Sequence, residues 1–117
     1  IPFMQQIHMG KNDFTRYTGS GHRFLFKEFK TIDIGTNGGP GVSLAWSLKY
    51  FIWSLTNEKI ANYLSIIPFF ILRLIDKFLS DRKSWDSSSG FYFFGMKSVN
   101  HKFNKNELNQ TYRGRQI

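Results

Sequence analysis

The sequence predicts an α/β fold with a small sheet and several helices. Two segments have the period of strands, near Thr31 to Ile34 and near Phe91 to Met96, and a long apolar stretch with helical period, Val42 to Leu79, lies between them. Hydrophobic residues make up 41% of the 117 positions and aromatic residues 18%, which is enough apolar mass for one packed domain.

A strand end followed by a short helix is expected before the first of these strands. Residues 1–13 are typical of a strand that runs into a loop, because turn-forming residues gather at the end of this segment. The helix is predicted near Ser20 to Phe29, where Thr18 or Ser20 can cap its N-terminus and several phenylalanines give it an apolar face between basic residues.

The strand near Thr31 alternates with a period of two residues. Ile32 and Ile34 are predicted to share one face, and Asp33 is predicted to point to solvent from the other. A group of glycines around a proline ends this strand: Gly35, Gly38, Gly39, Pro40 and Gly41.

A strand, an acidic residue, glycines and a helix N-terminus also occur in this order at nucleotide-type turns. Such a cofactor turn would usually have glycine where Asn37 stands, and it would need several more strand and helix units downstream, whereas only one credible strand follows. A tight connection between strand and helix is therefore the favoured interpretation of the glycine cluster.

The long apolar stretch should form two helices. The first is predicted over Val42 to Leu55, and the second, from about Ile60 to Leu79, is expected to break or restart at Pro68. The longest nearly apolar run, Ile60 to Leu72, has about thirteen residues, which is short of the ~20 that span a bilayer. Core packing against the sheet of a missing N-terminal half is the favoured role of these aromatic helices, and contact with a membrane surface or dimerisation is the alternative.

The last strand is predicted where a short aromatic run is bounded by glycines, near Phe91 to Met96. From Val99 onward the residues have no core period, so 99–117 are expected to form a polar, basic and mobile tail.

The net charge of +8 does not by itself indicate nucleic-acid binding. Basic residues are scattered along the chain and interleaved with acidic ones, and only the tail is locally basic, so no nucleic-acid partner is expected. Cysteine is absent, which excludes disulfides and cysteine-based zinc sites. Together with the lack of a signal-peptide pattern in Ile1 to Gly10, this favours a cytoplasmic location, with a peripheral membrane contact left open.

Three blocks of sequence, in a fixed order, carry a resemblance to a known family. They are Ile1-Pro-Phe-Met-Gln-Gln-Ile-His8 continuing through Asp13-Phe-Thr-Arg-Tyr-Thr18 to Gly21-His-Arg-Phe-Leu-Phe26, then Gly39-Pro-Gly-Val-Ser-Leu-Ala-Trp-Ser-Leu48, and finally Trp85-Asp86 with Gly90-Phe-Tyr-Phe-Phe-Gly95. The chain resembles the C-terminal part of bacterial class I S-adenosylmethionine-dependent methyltransferases of the methyltransferase type 11-like kind.

The resemblance implies a partial Rossmann-like methyltransferase fold, made of the late strands and a hydrophobic helical insertion at about 42–80. Residues 1–98 would be the C-terminal part of the domain and 99–117 its tail. The first block would follow the fifth strand, and the strands near Thr31 and Phe91 would be the last two of the sheet, side by side and antiparallel.

In that family the glycine-rich turn and the acidic residue that hold the cofactor would lie upstream of Ile1. S-adenosylmethionine is therefore expected as the cofactor of the full-length parent and is not expected to bind this chain alone. The expected partners are the missing N-terminal half and a small-molecule or glycan-type acceptor. The alternative from another class is a non-enzymatic helical module that docks to a membrane surface or to a partner protein.

The candidate site is the loop between the first segment and the first helix together with the residues beside it, where side chains of varied chemistry gather: Asp13, Arg16 and Tyr17 in the loop, and His8, His22 and Arg23 next to it. His8 or His22 would be the catalytic base that removes the acceptor's proton, and the other four residues would bind the acceptor. The alternative is structural, with an ion pair from Asp13 to Arg16 or Arg23 and helix capping. The spacing of these residues matches no standard metal site, so no metal is expected.

Overall fold

The computed structural model describes residues 1–7, 10–101 and 104–116, and these contain two strands and five α-helices. The strands are β1 (Phe29–Asn37) and β2 (Gly90–Lys97). The helices are α1 (Gly19–Leu25), α2 (Pro40–Leu55), α3 (Glu58–Asp76), α4 (Asp81–Ser84) and α5 (Lys105–Thr111). The α/β class predicted from the sequence is confirmed, and both strands are longer than predicted.

The two strands form an antiparallel pair in which Phe29 lies opposite Lys97 and Asn37 lies opposite Gly90. The prediction that these strands lie side by side and antiparallel is confirmed. The register shifts between Thr31 and Asp33, so that Ile32 is an extra residue in β1. The bulge separates two isoleucines that were predicted to share a face, because Ile32 is 56% exposed while Ile34 is 3% exposed and belongs to the core.

A third extended segment lies along the other edge of β2. The N-terminal nitrogen of Ile1 donates to the carbonyl of Phe91 (2.7 Å), and the N–H of Phe91 donates back to Ile1 (2.9 Å). A strand residue directs its N–H and C=O to one side, so Ile1 must lie on the edge of β2 opposite β1. Gly90 permits this approach, because a Cβ there would be 2.6 Å from the carbonyl oxygen of Ile1. Strand β2 therefore lies between two extended segments that both run antiparallel to it.

Helices α2 and α3 form a hairpin that is joined closely at its base. The carboxylate of Asp76, in the last turn of α3, accepts hydrogen bonds from the first N–H groups of α2, those of Gly41 (2.7 Å) and Val42 (2.8 Å). A Cβ at Gly41 would overlap the carbonyl oxygen of Leu72, so glycine permits the two backbones to approach at this point.

The expected break at Pro68 is wrong, since α3 passes through this residue without interruption. An interior proline removes one backbone hydrogen bond, which costs about 3 kcal/mol. Helix α3 packs against α2 on both sides of Pro68, through Ala61 and Ser65 before it and Leu72 after it, and this packing offsets the lost hydrogen bond.

The core lies between the sheet and the segments at the two ends of the described chain. Its buried residues are Ile34, Trp85 and Phe91, and Phe3 and Tyr112 pack against them. The ring of Trp85 lies 4.9 Å from that of Phe91 and 6.4 Å from that of Tyr112, measured between ring centroids. Tyr112 and helix α5 thus attach the described part of the tail to the rest of the protein, although most of its residues are exposed, and the expected mobility of the tail stays a prediction.

Candidate functional site

Asp13 and Arg16, two residues of the predicted site, form an ion pair through both terminal nitrogens of the Arg16 guanidinium. The same guanidinium donates to the carbonyl oxygens of Gln5 (3.0 Å) and Gln6 (3.1 Å). The hydrogen bond with Asp13 raises the pKa of Arg16 above its ordinary value. Arg16 thus attaches the loop to the segment that follows the first extended residues, as the structural alternative predicts.

His22 lies apart from this ion pair, in an aromatic environment. Its ring is 4% exposed, and its centroid lies 5.3 Å from that of Phe26 and 6.1 Å from that of Phe93. Burial, and to a smaller extent the positive N-terminus, lower the pKa of His22 to about 4. A base with this pKa is a weak proton acceptor at neutral pH, so the structure gives His22 the surroundings of a packing residue.

Arg23 has a fully buried side chain with several partners. It donates to the carbonyl oxygens of Phe26 (2.7 Å) and Phe29 (3.0 Å), and it forms an ion pair with Glu107 of α5 (2.7 Å). These bonds hold the turn between α1 and β1 and connect it to the tail. The contacts are internal, and they use the guanidinium that was predicted to bind an acceptor.

The two remaining predicted residues add little to a common site. The backbone N–H of Tyr17 donates to the carbonyl of Pro2 (3.3 Å), and the residue is partly buried. His8 lies outside the described residues. Asp13 and Arg16 are therefore brought together, whereas His22 and Arg23 lie within packed structure, and the catalytic and acceptor roles of these residues stay predictions.

A cleft of about 510 Å³ lies at the ends of the extended segments, and we call it the strand-end cleft. The first segment and β1 both run antiparallel to β2, so their carboxyl ends meet at one edge, where open α/β sheets place ligands. Polar side chains from several elements line it: Gln5, Asn37, Arg73, Lys77 and Asp81. Trp46 and Phe69 supply apolar walls.

The glycine cluster forms one wall of the strand-end cleft and makes a tight connection between β1 and α2. Gly38 has φ 79°, which favours glycine. The N–H groups of Gly41 and Val42, which would face an anionic ligand at a cofactor turn, are already bonded to Asp76. Asp33 lies on the surface, where it accepts a hydrogen bond from the hydroxyl of Tyr92 (2.9 Å), in agreement with the solvent-facing position predicted for it.

A second cleft, of about 470 Å³, follows the seam between the tail and the core. Its acidic group is Asp86, which accepts from the hydroxyl of Tyr112 (2.6 Å) and the N–H of Arg115 (2.8 Å). These two bonds hold the pKa of Asp86 below its ordinary value. The carboxylate thus serves to anchor the tail.

Sequence reasoning missed the strand-end cleft, although one signal for it was present. Gln5 follows the first extended segment and Asn37 is the last residue of β1, two segments that run in the same direction, and polar groups at such positions share one edge of a sheet. Arg73 and Lys77 carry no comparable signal, because the side of α3 that faces the cleft depends on how the hairpin packs.

Neither a metal site nor a known relative accompanies this geometry. Within residues 1–7, 10–101 and 104–116, no group of three or more His, Cys, Asp or Glu side chains is arranged to hold a metal ion. Comparison of the chain with protein-family models, with curated proteins and with solved structures found no match.

Proposed function

We propose that this chain is the C-terminal, acceptor-side part of a methyltransferase that uses S-adenosylmethionine, and that it is inactive alone. The observation that carries the proposal is the antiparallel pairing of β1 with β2, the arrangement that the sequence resemblance implies for the last two strands. The three resembling blocks fall on the first segment with α1, on the start of α2, and on β2. Each block therefore includes a regular element of the fold.

The described residues do not form a binding site of the expected kind for the methyl donor. The only glycine-rich turn that leads from a strand to a helix, among the described residues, has its N–H groups bonded to Asp76. In the proposal the donor is held by another part of the parent protein, and this chain contributes the acceptor side.

The strand-end cleft is the proposed acceptor site. The amides of Gln5 and Asn37 can both donate to and accept from hydroxyl groups, and Arg73 and Lys77 can hold an anionic substituent. A small hydroxylated or glycan-type acceptor matches this set of groups. Trp46 and Phe69 would exclude water from one side and orient the acceptor, which is the main contribution expected where catalysis depends on positioning.

The test compares the 117-residue chain with the protein of the complete reading frame that contains it. Calorimetry should detect binding of S-adenosylmethionine to the longer protein and not to the chain alone. Failure of the longer protein to bind would remove the methyltransferase proposal. Micromolar binding by the chain alone, lost on Gly35→Ala or Asp33→Asn, would make the glycine cluster the cofactor turn and contradict the acceptor-side assignment.

A second arm of this experiment addresses the cleft. In the longer protein, Asn37→Ala and Arg73→Ala should lower the formation of S-adenosylhomocysteine in the presence of acceptor, while the affinity for S-adenosylmethionine stays the same. Arg82→Ala is the matched control, because this arginine is exposed on α4 and does not line the cleft. Equal losses in Arg73→Ala and Arg82→Ala would move the acceptor site elsewhere.

A further inference from the structure

The side of α3 that faces away from α2 is apolar over most of its length. Ala61 and Ser65 are buried against α2, whereas large side chains on the outward side are more than half exposed: Tyr63, Ile67, Phe70, Ile71 and Leu74 on the helix, and Phe78 in the turn that follows it. From Tyr63 to Leu74 the helix rises by about 16 Å, so these side chains form a stripe of that length, which Phe78 extends beyond the helix end. Exposed apolar surface of this extent indicates a binding surface. We call it the α3 face.

Basic side chains border the α3 face along one flank. Lys59, Arg73 and Lys77 follow one another at spacings of 14 and 4 residues, which places them on the same side of the helix, and all three are exposed. Of the two acids on α3, Glu58 lies in the first turn and Asp76 is bonded to the N-terminus of α2. The flank is therefore positive, and an occupant with negative charge at its edge would be complementary.

The shape and charge of this surface match the interface of an anionic bilayer. An interfacial helix lies in the plane of the membrane with a wide apolar side down and lysines and arginines at its boundary, where their stems extend toward the headgroups. No helix of the described residues is long and apolar enough to cross a membrane. A second copy of the chain would bring the same net charge of +8 to the surface, so pairing of copies would be opposed by repulsion that an anionic bilayer does not have.

We infer that α3 docks this protein onto anionic lipid membranes, with the α3 face in the headgroup and upper acyl region and with Lys59, Arg73 and Lys77 at its border near the phosphates. Arg73 and Lys77 also line the strand-end cleft, so docking would hold that cleft beside the headgroups. The inference does not depend on methyl transfer, and it would hold for a non-enzymatic chain. Each basic side chain near an anionic surface strengthens partitioning by about fivefold, and each large apolar side chain that enters the interface contributes roughly tenfold or more.

The experiment is co-sedimentation of the chain with vesicles of phosphatidylcholine, with and without phosphatidylglycerol. The protein should bind the vesicles that contain phosphatidylglycerol, and binding should weaken as salt is added. Phe70→Asp should lower the partition coefficient at least tenfold, and Phe14→Asp, at a phenylalanine that is even more exposed but lies in the loop before α1, should not. Ile67→Ser is a milder second variant on the same face, and circular dichroism checks that each variant is folded.

A charge series separates specific docking from general attraction. The double variant Lys59→Gln with Lys77→Gln should lose more binding than Lys11→Gln with Lys105→Gln, although both remove two charges. Equal losses in the two pairs, equal binding to neutral and anionic vesicles, or unchanged binding of Phe70→Asp would overturn the inference. A dimer in analytical ultracentrifugation that Phe70→Asp dissociates, together with no vesicle binding, would assign the α3 face to a second copy.

Discussion

At the scale of single residues, the buried environment of His22 should make the stability of the protein depend on pH. Its pKa of about 4 in the folded protein lies below the ordinary value of 6.5. The unfolded chain therefore binds a proton that the folded protein does not accept as the pH falls through 6.5. Stability attributable to His22 is complete above that pH, decreases below it, and stops decreasing below about pH 4.

We predict that the free energy of unfolding falls by about 1 kcal/mol between roughly pH 7.5 and roughly pH 5.5 because of His22. Urea unfolding at the two pH values measures the change. The control is His22→Phe, which keeps an aromatic ring beside the stacked rings of Phe26 and Phe93 and removes the titrating group. If the variant shows the same loss as the wild type, the pH dependence belongs to other groups.

Local sequence predicts some side-chain partners and not others. The pair of Asp13 with Arg16 was open to prediction, because residues three apart in a turn can meet without knowledge of the fold. The pair of Arg23 with Glu107 was not, since 84 residues separate its members and only the packing of α5 on α1 brings them together. For the same reason the sequence could not tell that His22 points into the aromatic core.

At the scale of elements, one carboxylate connects the two long helices. We predict that Asp76→Ala lowers the free energy of unfolding by about 2 to 3 kcal/mol, because the first N–H groups of α2 lose a charged acceptor and the negative charge near the positive helix end is removed. Asp76→Asn, which keeps one acceptor oxygen, should cost about 1 kcal/mol.

The control for this prediction is Asp81→Asn. Asp81 is paired with Arg113 on the surface, where an ion pair contributes little, so its loss should change stability by less than about 1 kcal/mol. Thermal or urea unfolding of the three variants decides the point. Equal effects of changes at positions 76 and 81 would mean that the carboxylate of Asp76 does not hold the hairpin together.

Periodicity predicted most elements, and packing decided the rest. Alternating and helical patterns located β1, β2 and the two long helices to within a few residues. The proline in α3 was expected to break the helix because a pattern shows the lost hydrogen bond and does not show the neighbour that compensates for it. The bulge at Ile32 was missed since nothing in an alternating sequence marks an extra residue that is defined only by the partner strand.

At the scale of the whole molecule, an ion pair connects helix α5 of the tail to helix α1. Arg23 holds the turn after α1, and Glu107 on α5 supplies its negative partner. We predict that Glu107→Ala lowers the free energy of unfolding by about 2 to 3 kcal/mol, because a fully buried arginine is left without its ion-pair partner. Urea unfolding measures this, with Glu28→Ala on the exposed turn as control.

A double variant distinguishes the ion pair from loss of the helix. If the cost arises from the charge on Arg23, then Arg23→Met combined with Glu107→Ala should be more stable than Glu107→Ala alone. A double variant that is less stable than either single one would show that the contribution of Glu107 lies in helix α5 itself.

The site shows the same division between local and global information. The sequence located polar groups in one loop. For the strand-end cleft it marked Gln5 and Asn37 at the ends of extended segments and did not mark Arg73, which becomes their neighbour only after the hairpin has formed. The direction of the strands determines which residues can contact a ligand, and that direction is a property of the whole molecule.

The extra residue in β1 also affects how readily another protein molecule can add a strand to the sheet. Among the described residues no strand pairs with the outer side of β1, and an unpaired strand can act as a template on which further chains add to form fibrils. At Ile32 the regular alternation of backbone groups along this edge is interrupted, so a straight strand from another molecule can match the part before the bulge or the part after it and not both. The bulge therefore makes this edge a poorer template for the addition of a further strand.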